Sequence, residues 1–319
     1  MFDVIIIGAG VAGFTAALYS ARRGLKTLVI GKDIGGQANY TDVIQNFPGT
    51  EEIGGYELVT SIRSQSEKFG AEFVQAEAER IKPGSDSFVV TAYGKQYKSQ
   101  SLILAYGKTP QDLGVPGEQE FKGKGVSYCA TCDAPLFKGK IVAIAGIGDI
   151  AAEAGLLCAK YARKVYILSK TDKLLGSSLL TKALFKKKNV ELLPRVQILE
   201  IRGDTRLSGL KLMQLGRGEE TELALDGLFV ELGYVVDSKI VQNIVKLDEQ
   251  EQVMVDANQM TSVKGIFACG DVTDRLYKQA VISAGEGATA ALACYDWLMR
   301  QQGGEGLTSD WTEIKRIKN

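Results

Sequence analysis

Two cysteines three residues apart, followed at once by an acid, stand out chemically: Cys129-Ala130-Thr131-Cys132-Asp133. A C-x-x-C spacing lets two thiols close a small ring and exchange it with another disulfide, the thiolate acting as nucleophile. Asp133 is placed to move protons for that exchange, and as an acid in a helix's first turn it also suits the dipole. The same spacing is half of a zinc site. Zinc takes about four ligands, however, and the chain has neither a second C-x-x-C nor a single histidine. A redox pair is the expectation. The lack of histidine also excludes Ser-His-Asp triads, Cys–His pairs and imidazole pH switches.

The second constellation is Gly8-Ala9-Gly10-Val11-Ala12-Gly13, a G-x-G-x-x-G run between an apolar strand and a helix. Its first glycine makes the turn, its second admits a pyrophosphate, and its third lets helix pack on strand. The phosphates then face the unpaired N–H groups of the helix N-terminus. A ribose-binding acid at the end of the following strand is missing, and Asp33 is the nearby candidate.

These residues need elements to hold them. Val4–Ile7, a helix from about Val11 to Arg23, and Leu25–Ile30 form a first βαβ unit. A helix is predicted over Tyr56–Phe69, with strands at 72–78, 87–92 and 102–105. Gly107 to Gly117, with two prolines, reads as a linker. The pattern then restarts with strand Ile141–Ala145, turn Gly146-Ile147-Gly148, helix Ile150–Ala162 and strand Lys164–Leu168. A helix over Leu179–Lys187 and a strand over Gly227–Leu232 follow. A second linker spans Gly233–Ser238, and Gly265–Cys269 is a strand ahead of a long helix, Ala280–Arg300. The fold class expected is α/β with two Rossmann-like βαβ domains, the second inserted into the first. Residues 1–114 and 235–300 make the first, 115–234 the second, and 301–319 a tail.

Composition agrees with this plan. The chain has 319 residues, 36 glycines and 6 prolines, and equal numbers of basic and acidic residues, 38 each. That balance argues against a nucleic-acid or membrane-surface partner. Five cysteines, an odd number, are too few for a secreted disulfide scaffold. The opening Met1-Phe2-Asp3-Val4-Ile5 has no basic leader and too short an apolar run for a signal peptide. A reducing, cytoplasmic location is expected, with Cys158, Cys269 and Cys294 as packed, inert thiols.

The chain resembles the low-molecular-weight thioredoxin reductases over nearly its whole length. The resemblance rests on GAGVAG at 8–13, GGQ at 35–37, QNFPG at 45–49, VSYCATCDAP at 126–135, GIGDIAAEA at 146–154, DGLFVELG at 226–233, FACGDVTD at 267–274 and KQA at 278–280. It implies a homodimeric FAD enzyme. By motif, Gly8, Gly10 and Gly13 would hold the FAD pyrophosphate, and Gly35, Gly36, Gln37 and Asn46 would lie around the isoalloxazine. Asp271 would bind ribityl or ribose hydroxyls, with Lys278, Gln279 and Ala280 near the flavin. Cys132 would face the flavin, Cys129 would attack the protein disulfide, and Asp133 would serve as acid/base.

The resemblance breaks at one surface. NADPH-using members carry H-R-R-x-x-x-R after the second unit's second strand, and those arginines clamp the 2′-phosphate. Here the segment is Ser169-Lys170-Thr171-Asp172-Lys173-Leu174-Leu175. A small polar residue of the glycine turn is Ile150, and the family's G-x-x-P-N-T reads Gly233-Tyr234-Val235-Val236-Asp237-Ser238. These losses predict that NADPH is not bound and that the second unit is a scaffold for the C-x-x-C. They resemble the pyridine-nucleotide-independent branch, the ferredoxin-dependent flavin thioredoxin reductases and deeply rooted cyanobacterial thioredoxin reductases. The expected donor is ferredoxin and the expected acceptor a thioredoxin disulfide. Three alternatives are an NAD(P)H-dependent thioredoxin reductase with an atypical pocket, an oxygen-dependent oxidase of small dithiols, and a non-catalytic flavin sensor.

Trp311, Ile314 and Ile317 put an apolar stripe on the tail, and Trp311 is a candidate to cover the flavin face. Three lysine-rich clusters are candidate docks for an acidic donor: Lys186-Lys187-Lys188, Lys160 with Arg163 and Lys164, and Lys315-Arg316 with Lys318.

Overall fold

The computed structural model describes residues 1–40 and 43–304. Trp311, the rest of the tail stripe and the Lys315-Arg316/Lys318 cluster lie outside the described residues. Six α-helices are present there: α1 (Val11–Arg22), α2 (Gly55–Lys68), α3 (Ala130–Asp133), α4 (Gly148–Cys158), α5 (Ser178–Phe185) and α6 (Ala280–Gln301). The chain divides into two compact units. One comprises Met1–Gly36, Val59–Gly107 and the chain from Asp237; the other comprises Gln37–Leu58 and Lys108–Val236. The sequence-based division at 114/115 and 234/235 thus differs by seven residues at the first crossing and two at the second, and 37–58 groups with the inserted segment.

In the first unit, strand Phe2–Ile7 is fully apolar from Val4 onward and lies parallel to both Thr27–Gly31 and Lys95–Leu104, Ile6 pairing Val29 and Ile103. A strand buried on both faces reads as a continuous β-branched run. Glu72–Gln75 extends one side, and Phe88–Ala92 and Ala78–Pro83 extend the other as an antiparallel meander. Ile266–Ala268 runs parallel to the far end of Lys95–Leu104, Phe267 opposite Ile103. Helix α1 buries nearly its whole length between this sheet and α6. Gly287 of α6 permits the contact, since a Cβ there would meet Ala12 O at 2.4 Å.

The second unit has a parallel sheet in the order Val190–Leu193, Lys164–Leu168, Ile141–Gly146, Gly227–Glu231, Val126–Ser127. One face packs on α4 and α5 through Val142, Ile144, Ile167, Leu184 and Phe229. The other packs on an antiparallel sheet of Val196–Gly203, Leu207–Gln214 and Glu219–Ala224. Sequence periodicity left these three strands undifferentiated. The two chain crossings meet in a two-residue ladder, Thr109–Pro110 antiparallel to Tyr234–Val235. Among the described residues no helix is long and apolar enough to cross a membrane.

Candidate active site

In the second unit, Val126–Ser127 delivers the chain to Cys129, which caps the four-residue helix α3. Cys129 and Cys132 form a disulfide, with Cα atoms 5.3 Å apart. The Cys132 N–H donates to Cys129 Sγ at 3.2 Å, so the cap of the helix is itself the first sulfur. Amide donation to that sulfur favours its thiolate once the bond opens. Asp133 is 6% exposed, and Ser127 Oγ donates to its Oδ2 at 2.7 Å. The same Ser127 oxygen accepts the Cys129 N–H at 3.1 Å. One hydroxyl thereby ties the acid to the first cysteine's backbone.

Two carboxylates that sequence reasoning missed support this centre. Glu118, 1% exposed, accepts the N–H groups of Leu113 and Gly114 and the Tyr128 hydroxyl, each at 2.8 Å. It fixes the residue preceding Cys129, whose carbonyl also accepts from the Tyr234 hydroxyl at 2.5 Å. Glu231, 7% exposed, accepts the Ala130 N–H through Oε1 at 3.2 Å, and burial pushes its carboxyl up to about 7. A usable signal existed for Glu231: an acid between Leu228-Phe229-Val230 and Leu232 interrupts an apolar strand. Glu118 follows a Pro-Gly turn and gives no such sign.

The first unit gathers the other motifs. Gly8 has φ +120°, and a Cβ there would lie 2.2 Å from Ala105 O. A Cβ at Gly13 would lie 1.9 Å from Gly8 O. Gly10 differs: its Cβ would meet only Gly35 O, at 3.8 Å, so that side opens outward ahead of α1. Helix α1 has no side-chain cap at Gly10 and no acid in its first turn. Its N-terminus is therefore fitted to an anion. The Gly35 N–H binds Ala9 O at 2.9 Å, bringing Gly35-Gly36 to the same turn. Asp271 sits in the 3-10 turn Gly270–Val272, with Gly270 against Ala12 and Ser283. Lys278 Nζ donates to Thr273 O at 2.5 Å, and burial holds its ammonium below the usual lysine range. Gln279 caps α6, which begins at Ala280. Glu286 of α6, unflagged by motif, accepts the Gly270 N–H at 2.7 Å. Asp33 is exposed beyond Thr27–Gly31. Gln37 and Asn46 fall in the other unit, Gln37 Nε2 donating to Lys108 O at 2.8 Å.

The second glycine turn holds its fold but presents a different face. Ile147 caps α4 and Ile150 lies in its first turn, 65% and 52% exposed. Ser169 Oγ lies 3.2 Å from Thr171 Oγ1 and donates to Lys173 O at 3.1 Å, closing its loop on itself. Arg195 is drawn into a bidentate pair with Asp172. Among the described residues there is no cluster of three or more potential metal ligands.

A disulfide on a helix N-terminus beside a buried acid, and a dinucleotide turn in a separate α/β unit, define a flavin-dependent disulfide oxidoreductase. Residues 2–287 match the family described as pyridine nucleotide-disulphide oxidoreductase, and the chain belongs to that family. It is thioredoxin reductase-like. It is 39% identical over 293 residues to the thioredoxin reductase of Bacillus subtilis (strain 168), covering 91% of this chain and 93% of that one. Identity to NADPH-dependent thioredoxin reductase 3 of Arabidopsis thaliana is 38% over 307 residues, 93% of this chain and 58% of the relative. Among solved structures, thioredoxin reductase from Streptococcus pyogenes MGAS5005 superposes with a TM-score of 0.90 at 32% identity, covering 94% of this chain and 99% of that one.

Proposed function

We propose that the protein is a thioredoxin reductase whose electron donor is not a nicotinamide nucleotide but an iron–sulfur protein of the ferredoxin class. Electrons would pass by way of FAD and Cys129–Cys132 to a thioredoxin disulfide. The observation carrying this reading is the surface after strand Lys164–Leu168. The Arg195 guanidinium is engaged by Asp172, Ser169 satisfies itself within the loop, and Ile147 and Ile150 are exposed at the start of α4. A 2′-phosphate is bound best by free, bidentate guanidinium groups, and this loop supplies Lys170 and Lys173 as exposed point charges.

Gly8, Gly10, Gly13, Gly35, Gly36, Asp271 and Lys278 would hold the FAD. Bound FAD supplies an electron store that can be filled singly and emptied in pairs. On the chain's side, Ser127 holds Asp133 against the first cysteine's backbone, so a proton can be given to a departing sulfur. Cys132 is assigned to the flavin and Cys129 to the substrate disulfide. The direction is favourable: ferredoxins near −400 mV and thioredoxin near −270 mV differ by about 130 mV, or about 6 kcal/mol for two electrons. Lys186–Lys188 at the end of α5 are exposed and suit an acidic donor, whereas Lys164 is paired with Glu191. A cytoplasmic homodimer completes the reading.

Relatives named for NADPH make the donor the decisive point. The test is anaerobic mixing of the flavoprotein with excess NADPH, NADH or reduced ferredoxin. Bleaching by ferredoxin alone is expected. Rapid bleaching by either nucleotide overturns the donor assignment and restores the nucleotide-dependent reading.

A further inference from the structure

Glu231 ends an otherwise apolar strand directly beneath α3. Leu228, Phe229 and Val230 are buried, and Glu231 is buried with them. Its register partner on the neighbouring strand is Gly146, where a Cβ would lie 2.8 Å from that of Glu231, so the glycine makes room for the acid. The carboxylate reaches the Ala130 N–H, inside the four-residue segment that carries both sulfurs. A buried carboxylate with one amide partner is costly to keep charged, and a second negative charge at the same helix end costs more.

The surrounding titratable groups are few. Helix α3 contributes Asp133 and the Cys129–Cys132 pair. Helix α4 contributes Cys158, whose thiol is pushed up by burial and then by Glu231 and Asp133; its Asp149 and Glu153 are solvent-exposed. Strand Ile141–Gly146 offers Gly146, and strand Val126–Ser127 offers the Ser127 hydroxyl. Opening the disulfide places a thiolate at the end of α3 that Glu231 already occupies with its charge.

We infer that Glu231 is a positioning residue that holds a proton for the dithiol. As two electrons enter and the S–S bond breaks, one proton binds one sulfur and a second binds Glu231, while the other sulfur stays a thiolate. When the pair re-forms its disulfide on a substrate, the substrate leaves as a dithiol carrying both protons and Glu231 returns to carboxylate. Charge at the buried centre is thus the same in both redox states. The inference rests on Cys129–Cys132 as the working couple and is independent of the electron donor.

The experiment follows proton release at about pH 8 when the holoenzyme is reduced with excess dithiothreitol in weak buffer containing an indicator dye. Each disulfide reduced by dithiothreitol brings two protons. The wild type is expected to retain both, whereas Glu231→Gln, which keeps an acceptor for Ala130, releases one more proton per disulfide than wild type. Any flavin reduction is common to both proteins and cancels in the difference. Glu231→Asp restores the carboxylate and is expected to return the count to that of wild type. Equal release by wild type and Glu231→Gln, or an Asp variant behaving like Gln, overturns the inference. If the Gln variant does not fold, the wild-type count at about pH 8 decides once flavin reduction read at 450 nm is subtracted: no net release is expected, and release of one proton per disulfide overturns the inference. Failure of dithiothreitol to reduce Cys129–Cys132 at all would instead overturn the assignment of the working couple.

Discussion

The Ser127 hydroxyl stands 2.7 Å from Asp133 Oδ2 and 3.1 Å from the Cys129 amide nitrogen, donating to the first and accepting from the second. The acid and the first cysteine therefore share one anchor. Ser127→Ala removes it without altering the sheet. Turnover with a disulfide substrate is expected to fall about tenfold or more, the cost of about 1–3 kcal/mol for an abandoned buried polar group. The flavin spectrum should be unchanged. Stopped-flow separation of the dithiol step from flavin reduction checks both parts.

The glycine turn makes a paired prediction. Gly13→Ala sets a methyl 1.9 Å from Gly8 O, and the fold must shift. Gly10→Ala meets only Gly35 O at 3.8 Å. The first variant is expected to lose thermal stability in the apoprotein. The second is expected to keep the apoprotein melting temperature and lose flavin on gel filtration. Melting curves and the 450-to-280 nm absorbance ratio distinguish them.

Cysteine reactivity should split cleanly. Burial pushes the thiols of Cys158 and Cys269 far up and that of Cys294 up to about 12, so none supplies thiolate near neutrality. Iodoacetamide on the reduced native protein is expected to label Cys129 and Cys132 alone. After denaturation all five cysteines should label. Intact-mass measurement counts the adducts.

Stability should depend on pH through Glu231. Its folded pKa, about 7, lies above the ordinary glutamate value of 4.5, so the native state binds the extra proton between those values. Stability therefore falls as pH rises from 4.5 to about 7, by on the order of 3 kcal/mol at full effect. Glu231→Gln removes that loss. The variant is expected to melt well above wild type at pH 8 and close to it at pH 4.5, as read by calorimetry of the oxidised proteins.

Legibility from sequence followed physical cause. Strand Lys164–Leu168 and the start of α1 agree with the sequence to the residue, because the short apolar run Val165–Leu168 and the G-x-G-x-x-G turn are both strong local signals. Helix α4 is expected from Ile150 by its apolar residues but begins two residues earlier, at Gly148, whose φ is +68°. Segment 72–78 resolves into two strands, as Ala76 is spent on a bond to Gly31 O. The cysteine pair and its acid were visible because their spacing is local. Glu118 and Tyr234 were not, because their roles arise from partners that the sheet brings together.

Thr109–Pro110 and Tyr234–Val235 lie side by side, so the inserted segment leaves and re-enters its host at almost one point. Closing a loop costs little when its ends already meet, however much chain lies between them. To the host, the intervening polypeptide is energetically a short turn. Such a graft can change its own surface loops and still keep its place in the host.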